Sequence, residues 1–133
     1  MTSKVTYKGD LRTEAYHIQS GNSIVTDAPV DNQGKGEAFS PTDLVATALA
    51  SCMLTIMGIV AERNNVELKG TTAEIEKIMG TMPRQISEIK IKILFIKNFD
   101  KITKRKLESA ALTCPVSNSL NENLQESIKF IYP

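Results

Sequence analysis

The sequence predicts an α+β protein, because two strand-rich regions flank one long apolar helix and a shorter helix follows them. Polar and apolar residues alternate in residues 3–28 and again in residues 71–97, a pattern typical of strands that cover a core on one face. Residues 44–60 between these regions are the most apolar run of the chain. We therefore expect antiparallel strands packed with helices.

Length and composition indicate one domain over residues 1–133. The chain has 133 residues, of which 41% are hydrophobic, and 16 basic residues nearly balance 15 acidic ones. Such a chain can bury a real core, and its scattered charges exclude an evident nucleic-acid surface. The first residues lack the apolar core of a secretory signal. We expect a cytosolic protein, whose thiols are normally reduced rather than held in a permanent disulfide.

The first half of the chain reads as a three-strand meander followed by a helix. The strand segments are "KVTYKG", "EAYHIQS" and "SIVTDA", and residues 29–39 form a loop. Ser40 and Pro41 mark a helix start, with Asp43 placed as the acidic member of a capping box. The helix should run to about Arg63. Although residues 44–60 approach the length of a membrane span, we interpret them as a buried helix of a soluble protein and expect no membrane association.

The second half predicts a long hairpin, a helix and a last strand. "TTAEIEKIM" and "ISEIKIKILFIK" alternate in polarity around the turn "GTMPR", which indicates one core-facing side. A helix over residues 101–113 places Ile102, Leu107, Ala110 and Ala111 near one face. Pro115 either ends this helix or begins a short one over "VSNSL". "SIKFIY" is the final strand.

The two cysteines, Cys52 and Cys114, lie 62 positions apart and form no CxxC motif. A free cysteine in an apolar helix is more often a small core residue than a catalyst. Cys52 lies about three turns into its helix, where the helix dipole gives a thiolate little support. A reactive Cys52 would need a cation, and Arg12 in the first hairpin turn is the candidate.

Two acids could orient that arginine, namely Asp43 at the helix start and Glu37 in the preceding loop. Asp43 precedes Cys52 by about 2.5 helical turns, whereas Thr42 precedes it by about 2.8 turns and is better aligned. The single histidine, His17, and two distant cysteines are a poor zinc set. We expect neither a metal nor another cofactor.

The segments "SPTDLVATALASCM" and "TCPVSNSL" resemble the paired signatures of the OsmC/Ohr family of osmotically inducible and organic hydroperoxide resistance proteins. The resemblance follows the order of elements over essentially the whole chain. It implies an α+β fold with antiparallel sheets around a long central cysteine-bearing helix. It also implies that two chains interlock as a homodimer with each active site at the subunit interface.

The resemblance implies thiol-dependent reduction of small hydroperoxides in oxidative stress defence. Cys52 would be the peroxidatic thiolate, Cys114 the resolving cysteine, and Arg12 the cation that stabilises the thiolate and polarises the peroxide. An external dithiol, of lipoyl type in the organic hydroperoxide branch, would reduce the resulting disulfide. The family's catalytic glutamate follows the helix-start proline, where this chain has Thr42. Either Asp43 or Glu37 substitutes for it, or Arg12 is held loosely and activity is weak.

Two other interpretations stay open at this point. The apolar surface around the cysteine helices could bind an acyl chain or another small apolar ligand at the dimer interface without catalysis. Alternatively, both thiols could be structural, in which case both would resist alkylation in the folded protein.

Overall fold

The computed structural model describes residues 1–133. The chain forms two compact units, Met1–Val45 and Ala46–Pro133. In the first unit three antiparallel strands form a sheet. The strands are β1 (Ser3–Gly9), β2 (Arg12–His17) and β3 (Ser23–Asp27), in the order β1-β2-β3. This arrangement confirms the meander. That the two units make one domain stays a prediction.

The sheet of the first unit carries apolar side chains that are largely exposed. Val5, Ala15 and Ile24 are cross-strand partners on one face, and Tyr7 follows Val5 on that face. Val5 is 61% exposed, Tyr7 64% and Ile24 49%. Aromatic and β-branched side chains favour strands because they pack across a sheet, so this face has the composition of a covered surface.

The long helix α1 (Pro41–Arg63) begins where the sequence predicts. The Ser40 hydroxyl accepts the backbone N–H of Asp43 at 3.0 Å, and the Asp43 carboxylate accepts that of Ser40 at 2.9 Å. This reciprocal pair is a capping box, which satisfies N–H groups that the helix cannot. By length and composition alone α1 could cross a membrane.

In the second unit α1 packs against a sheet of β4 (Thr72–Gly80), β5 (Gln85–Leu94) and β6 (Gln125–Ile131). The helices α2 (Lys101–Leu112) and α3 (Pro115–Ser119) connect β5 to β6. The core joins the buried side of α1 to alternate residues of β5 and to α2; its fully buried members include Leu49, Met53, Met57, Ile89, Ile91, Ile93 and Leu107. α1 is therefore a core helix of this unit.

Two details differ from expectation. β4 and β5 pair antiparallel, but β6 pairs parallel to β5, because the helical crossover returns the chain to the same end of the sheet. Leu107 and Ala111 of α2 are buried, whereas Ile102 is 66% exposed. Ile102 and Leu107 are five positions apart, about 140° around a helix, so they cannot share a narrow face.

Candidate functional site

Cys52 and Cys114 are brought together from distant parts of the sequence. Cys52 lies on α1 and is partly exposed, while Cys114 immediately precedes α3 and is fully buried. The two thiols lie close enough to interact, since Cys52 contributes to the raised pKa of Cys114. Both are free rather than joined in a disulfide.

The surroundings of the Cys114 thiol favour its protonated form. Burial raises the pKa of Cys114, and the adjacent Cys52 side chain raises it further, although the N–H groups of Ser117 and Val116 act in the opposite direction. Loss of water around a thiol disfavours its charged form, so the buried Cys114 favours the protonated form beside Cys52.

Local sequence explains the position of Cys114. Pro115 occupies the first turn of α3, where a proline costs no hydrogen bond. The Cys114 sulfur takes the N-cap role that serine or aspartate usually has, accepting the backbone N–H of Ser117 at 3.4 Å. Of the two possibilities for Pro115, the structure therefore shows that it begins a new helix.

Arg12 lies at the start of β2, directly after a strained turn. Asp10 and Leu11 have φ values of 53° and 61°, a region that an aliphatic residue such as Leu11 rarely enters. The Leu11 carbonyl accepts the N–H of Ala28 at 3.1 Å, which ties the turn to the end of β3. The chain thus fixes the backbone beside Arg12 at some energetic cost.

The Arg12 guanidinium is clamped by Asp27, a residue that sequence reasoning missed. Arg12 Nε donates to Asp27 Oδ1 at 2.7 Å and Nη2 donates to Oδ2 at 2.8 Å. Asp27 is 1% exposed, and it is the cross-strand partner of Arg12. A planar guanidinium suits this two-point contact. The hydrogen bonds from Arg12 lower the pKa of Asp27, and Asp27 in turn raises that of Arg12.

Glu37 completes this cluster. The loop after β3 returns beside that strand, where Asp27 N–H donates to the Phe39 carbonyl at 3.0 Å. Glu37 N–H donates to Asp27 Oδ2 at 3.2 Å, and Arg12 Nη2 donates to Glu37 Oε2 at 3.3 Å. Glu37, one of the two predicted acids, therefore contacts Arg12, while its side chain stays 69% exposed.

The other predicted acid, Asp43, forms the capping box with Ser40 described above. The neighbouring Thr42 hydroxyl lies 3.2 Å from that of Ser40. Arg12 and the cysteines belong to different units, and the predicted action of Arg12 on Cys52 stays a prediction.

A shallow cavity of about 480 Å³ lies on one face of the second sheet. Its lining is mostly charged, including Glu74, Lys90 and Lys129, and neither cysteine contributes to it. No group of three or more His, Cys, Asp and Glu side chains is arranged to hold a metal ion.

Comparison with known proteins gives a consistent picture. A family model described as OsmC-like protein matches residues 34–129, a range that contains both cysteines and Glu37 but not Arg12 or Asp27. No functionally curated protein matches the sequence.

Solved structures of similar proteins extend the likeness to the whole chain. A Psychrobacter arcticus 273-4 protein, provisionally described as an osmotic stress induced and detoxification response protein, is 55% identical, with a TM-score of 0.95 over 98% of this chain and 95% of that one. An organic hydroperoxide resistance protein OsmC from Legionella pneumophila is 16% identical, with a TM-score of 0.77 over 98% and 97% of the two chains. A Vibrio cholerae protein, provisionally described as an organic hydroperoxide resistance protein with captopril bound in one of its active sites, is 18% identical, with a TM-score of 0.72 over 98% and 91%. The two distant proteins share the fold.

Proposed function

Because the chain belongs to the OsmC-like protein family, we propose that it is a thiol-dependent hydroperoxide reductase with Cys52 as the peroxidatic and Cys114 as the resolving cysteine. The observation that carries the proposal is that Cys52 and Cys114, 62 positions apart in the sequence, lie within interaction distance of each other. Two structural cysteines need no contact with each other, whereas a redox pair requires it.

The environments of the two thiols support this division of roles. A peroxide must reach the sulfur it oxidises, and Cys52 is the partly exposed member of the pair. Cys114 is buried, and burial raises its pKa, so it is a poor first nucleophile. These properties suit a resolving thiol, which reacts only after Cys52 has been oxidised.

The chemistry then follows two steps. The Cys52 thiolate attacks the outer oxygen of ROOH, the O–O bond breaks, and the alcohol ROH leaves after taking a proton, with Cys52 becoming a sulfenic acid. The Cys114 sulfur attacks the Cys52 sulfur, the S–O bond breaks, and the Cys114 proton leaves with the hydroxyl as water. An external dithiol reduces the resulting disulfide and is itself oxidised to a disulfide. A lipoyl-type dithiol is the reductant we propose.

Arg12 is proposed to stabilise the Cys52 thiolate and to polarise the peroxide. Nε and Nη2 of Arg12 are engaged by Asp27 and Glu37, so the donors of Nη1 remain for a substrate or a thiolate. Asp27 and Glu37 supply the acid that the family's glutamate provides elsewhere. The contacts of Arg12 with Asp27 and Glu37 support a positioned arginine even though Thr42 stands where the family has its glutamate.

We further propose that the protein is a cytosolic homodimer. The uncovered apolar face of the first sheet, with Val5, Tyr7 and Ile24 exposed, supports a partner chain as its cover, because large apolar patches on soluble proteins mark interaction sites. A cytosolic location fits thiols that must be returned to the reduced state in each cycle.

The test is turnover of cumene hydroperoxide or tert-butyl hydroperoxide with dihydrolipoamide. Wild-type protein should consume peroxide and dithiol in equal amounts, and Cys52→Ser should consume none above background. Cys114→Ser should still form a sulfenic acid at Cys52, detectable by mass spectrometry after trapping with dimedone. If the wild-type protein shows no more turnover than Cys52→Ser, it is not a peroxidase.

A further inference from the structure

Glu126 occupies a position in β6 that its sequence pattern assigns to an apolar residue. Glu126, Ile128 and Phe130 alternate along β6, and their β5 partners are Ile89, Ile91 and Ile93. Those three isoleucines are fully buried, so this side of β6 faces the core. Glu126 is itself half-buried, so its carboxylate loses part of its water, a cost that hydrogen bonds offset. Departures from local pattern of this kind are concentrated at functional sites.

The partner of Glu126 is Ser117, which lies in α3 beside the resolving cysteine. The Ser117 hydroxyl donates its single hydrogen to the Glu126 carboxylate, both oxygens of which lie 2.9 Å from Ser117 Oγ. The backbone N–H of the same serine donates to the Cys114 sulfur at 3.4 Å. Ser117 therefore links the carboxylate on β6 directly to the Cys114 sulfur.

We propose that Glu126 and Ser117 are positioning residues for Cys114, which hold its sulfur toward Cys52 while the disulfide forms. The inference rests on the proposed function, since it assigns both residues to the second step of that reaction. As Cys114 attacks, its proton leaves and negative charge builds on its sulfur. The Ser117 N–H stabilises that charge, and the bond to Glu126 keeps this N–H in place.

The experiment separates the two steps by oxidising reduced protein with one equivalent of cumene hydroperoxide. Sulfenic acid at Cys52 is trapped with dimedone at successive times, and disulfide is quantified by mass spectrometry. Ser117→Ala should form the sulfenic acid at the wild-type rate and the disulfide roughly tenfold more slowly, the rate equivalent of about one lost hydrogen bond. Its disulfide step should also shift to higher pH, because the Cys114 thiolate is less stabilised.

Two further variants identify the bond rather than the fold as the cause. Ser117→Thr keeps the hydroxyl and should restore the disulfide rate. Glu126→Ala removes the same bond from the other strand and should slow the step as much as Ser117→Ala does. The double variant should be no slower than either single one, because both act through one interaction.

The chain offers a matched control on the opposite face of β6. The Ser127 hydroxyl donates to the Glu88 carboxylate, a serine-to-glutamate hydrogen bond of the same kind away from the cysteines. Ser127→Ala should leave both steps unchanged. Unchanged disulfide formation in Ser117→Ala and Glu126→Ala, or equal slowing of both steps, would overturn the assignment.

A peroxide-free assay distinguishes failure of this inference from failure of the proposed function. Attack of Cys52 on Ellman's reagent releases one thionitrobenzoate and leaves a mixed disulfide, and attack by Cys114 then forms the Cys52–Cys114 disulfide and releases a second, coloured thionitrobenzoate. Ser117→Ala should slow this release roughly tenfold as well. Absence of both sulfenic acid and disulfide in peroxide-treated wild-type protein would refute the peroxidase, whereas release by Ser117→Ala at the wild-type rate would refute the positioning role.

Discussion

Replacing Asp27 by asparagine tests whether a buried carboxylate holds Arg12 for the reaction. The change keeps the size of the side chain and removes its charge. Asp27 provides two hydrogen bonds to the guanidinium, at 2.7 and 2.8 Å, whereas Glu37 provides one at 3.3 Å. Glu37→Gln is the matched control, since it removes a charge from the same cluster at an exposed position.

The expected sizes of the two effects follow from burial and geometry. Hydrogen bonds to charged groups are the stronger class, and exposed ion pairs contribute little. Asparagine can accept only one of the two bonds from Arg12. We therefore expect kcat/KM for cumene hydroperoxide to fall by roughly 10-fold to 100-fold in Asp27→Asn and by less than about threefold in Glu37→Gln.

The assay is steady-state peroxide consumption with saturating dithiol, together with the dimedone-trapping rate at Cys52. A positioning effect on Arg12 should appear in the trapping rate, while the later Ellman release by Cys114 stays unchanged. Circular dichroism verifies that Asp27→Asn is folded. If Asp27→Asn keeps its trapping rate within about threefold of wild type, or Glu37→Gln loses as much activity, the clamp does not serve the peroxide step.

Three further predictions concern stability and thiol access. The pKa of Asp27 is lowered by its hydrogen bonds from Arg12. The ionised Asp27 therefore stabilises the folded protein above the ordinary carboxyl pKa of about 3.9, and this contribution is lost as pH falls below that value. Acid should thus lower the Tm of wild-type protein more steeply than the Tm of Asp27→Asn. Leu107→Ala removes a fully buried side chain and should lower the free energy of unfolding by about 3 kcal/mol, or Tm by about 10 °C. Ile102→Ala, at an exposed position of the same helix, should lower it by less than about 0.5 kcal/mol. Equal losses of stability in calorimetry would contradict the observed burial. Iodoacetamide should label Cys52 well before the buried Cys114, as peptide mass spectrometry can show, and simultaneous labelling would count against the assigned roles.

The elements of this fold were largely predictable because each has a strong local signal. Ser40 and Pro41 specify a helix start through capping and a fixed φ, and strict alternation specifies the face of β5. The parallel pairing of β6 has a less local origin, since it depends on the crossover through two helices. The exposure of Ile102 follows from helical geometry over five residues, which a count of apolar residues on the helix does not capture.

The candidate site was less predictable, because its contacts join residues far apart in the chain. The family resemblance indicated the pairing of Cys52 with Cys114, which spacing alone leaves open. Asp27 ends a strand in "SIVTDA", where an aspartate is usually a turn residue exposed to water. Only the register that places it opposite Arg12 distinguishes it. Register is set by pairing across the sheet, so no property of the local sequence identifies this residue.

The cross-strand pairing of Arg12 with Asp27 affects how this hairpin folds and whether it can be grafted onto another protein. The pair spans only 15 positions and lies within two neighbouring strands. Closing so short a loop costs little chain entropy, so the pair can form as soon as β2 and β3 meet. Arginine, counter-ion and connecting turn are thus one contiguous segment, which could be grafted as a unit onto another antiparallel hairpin.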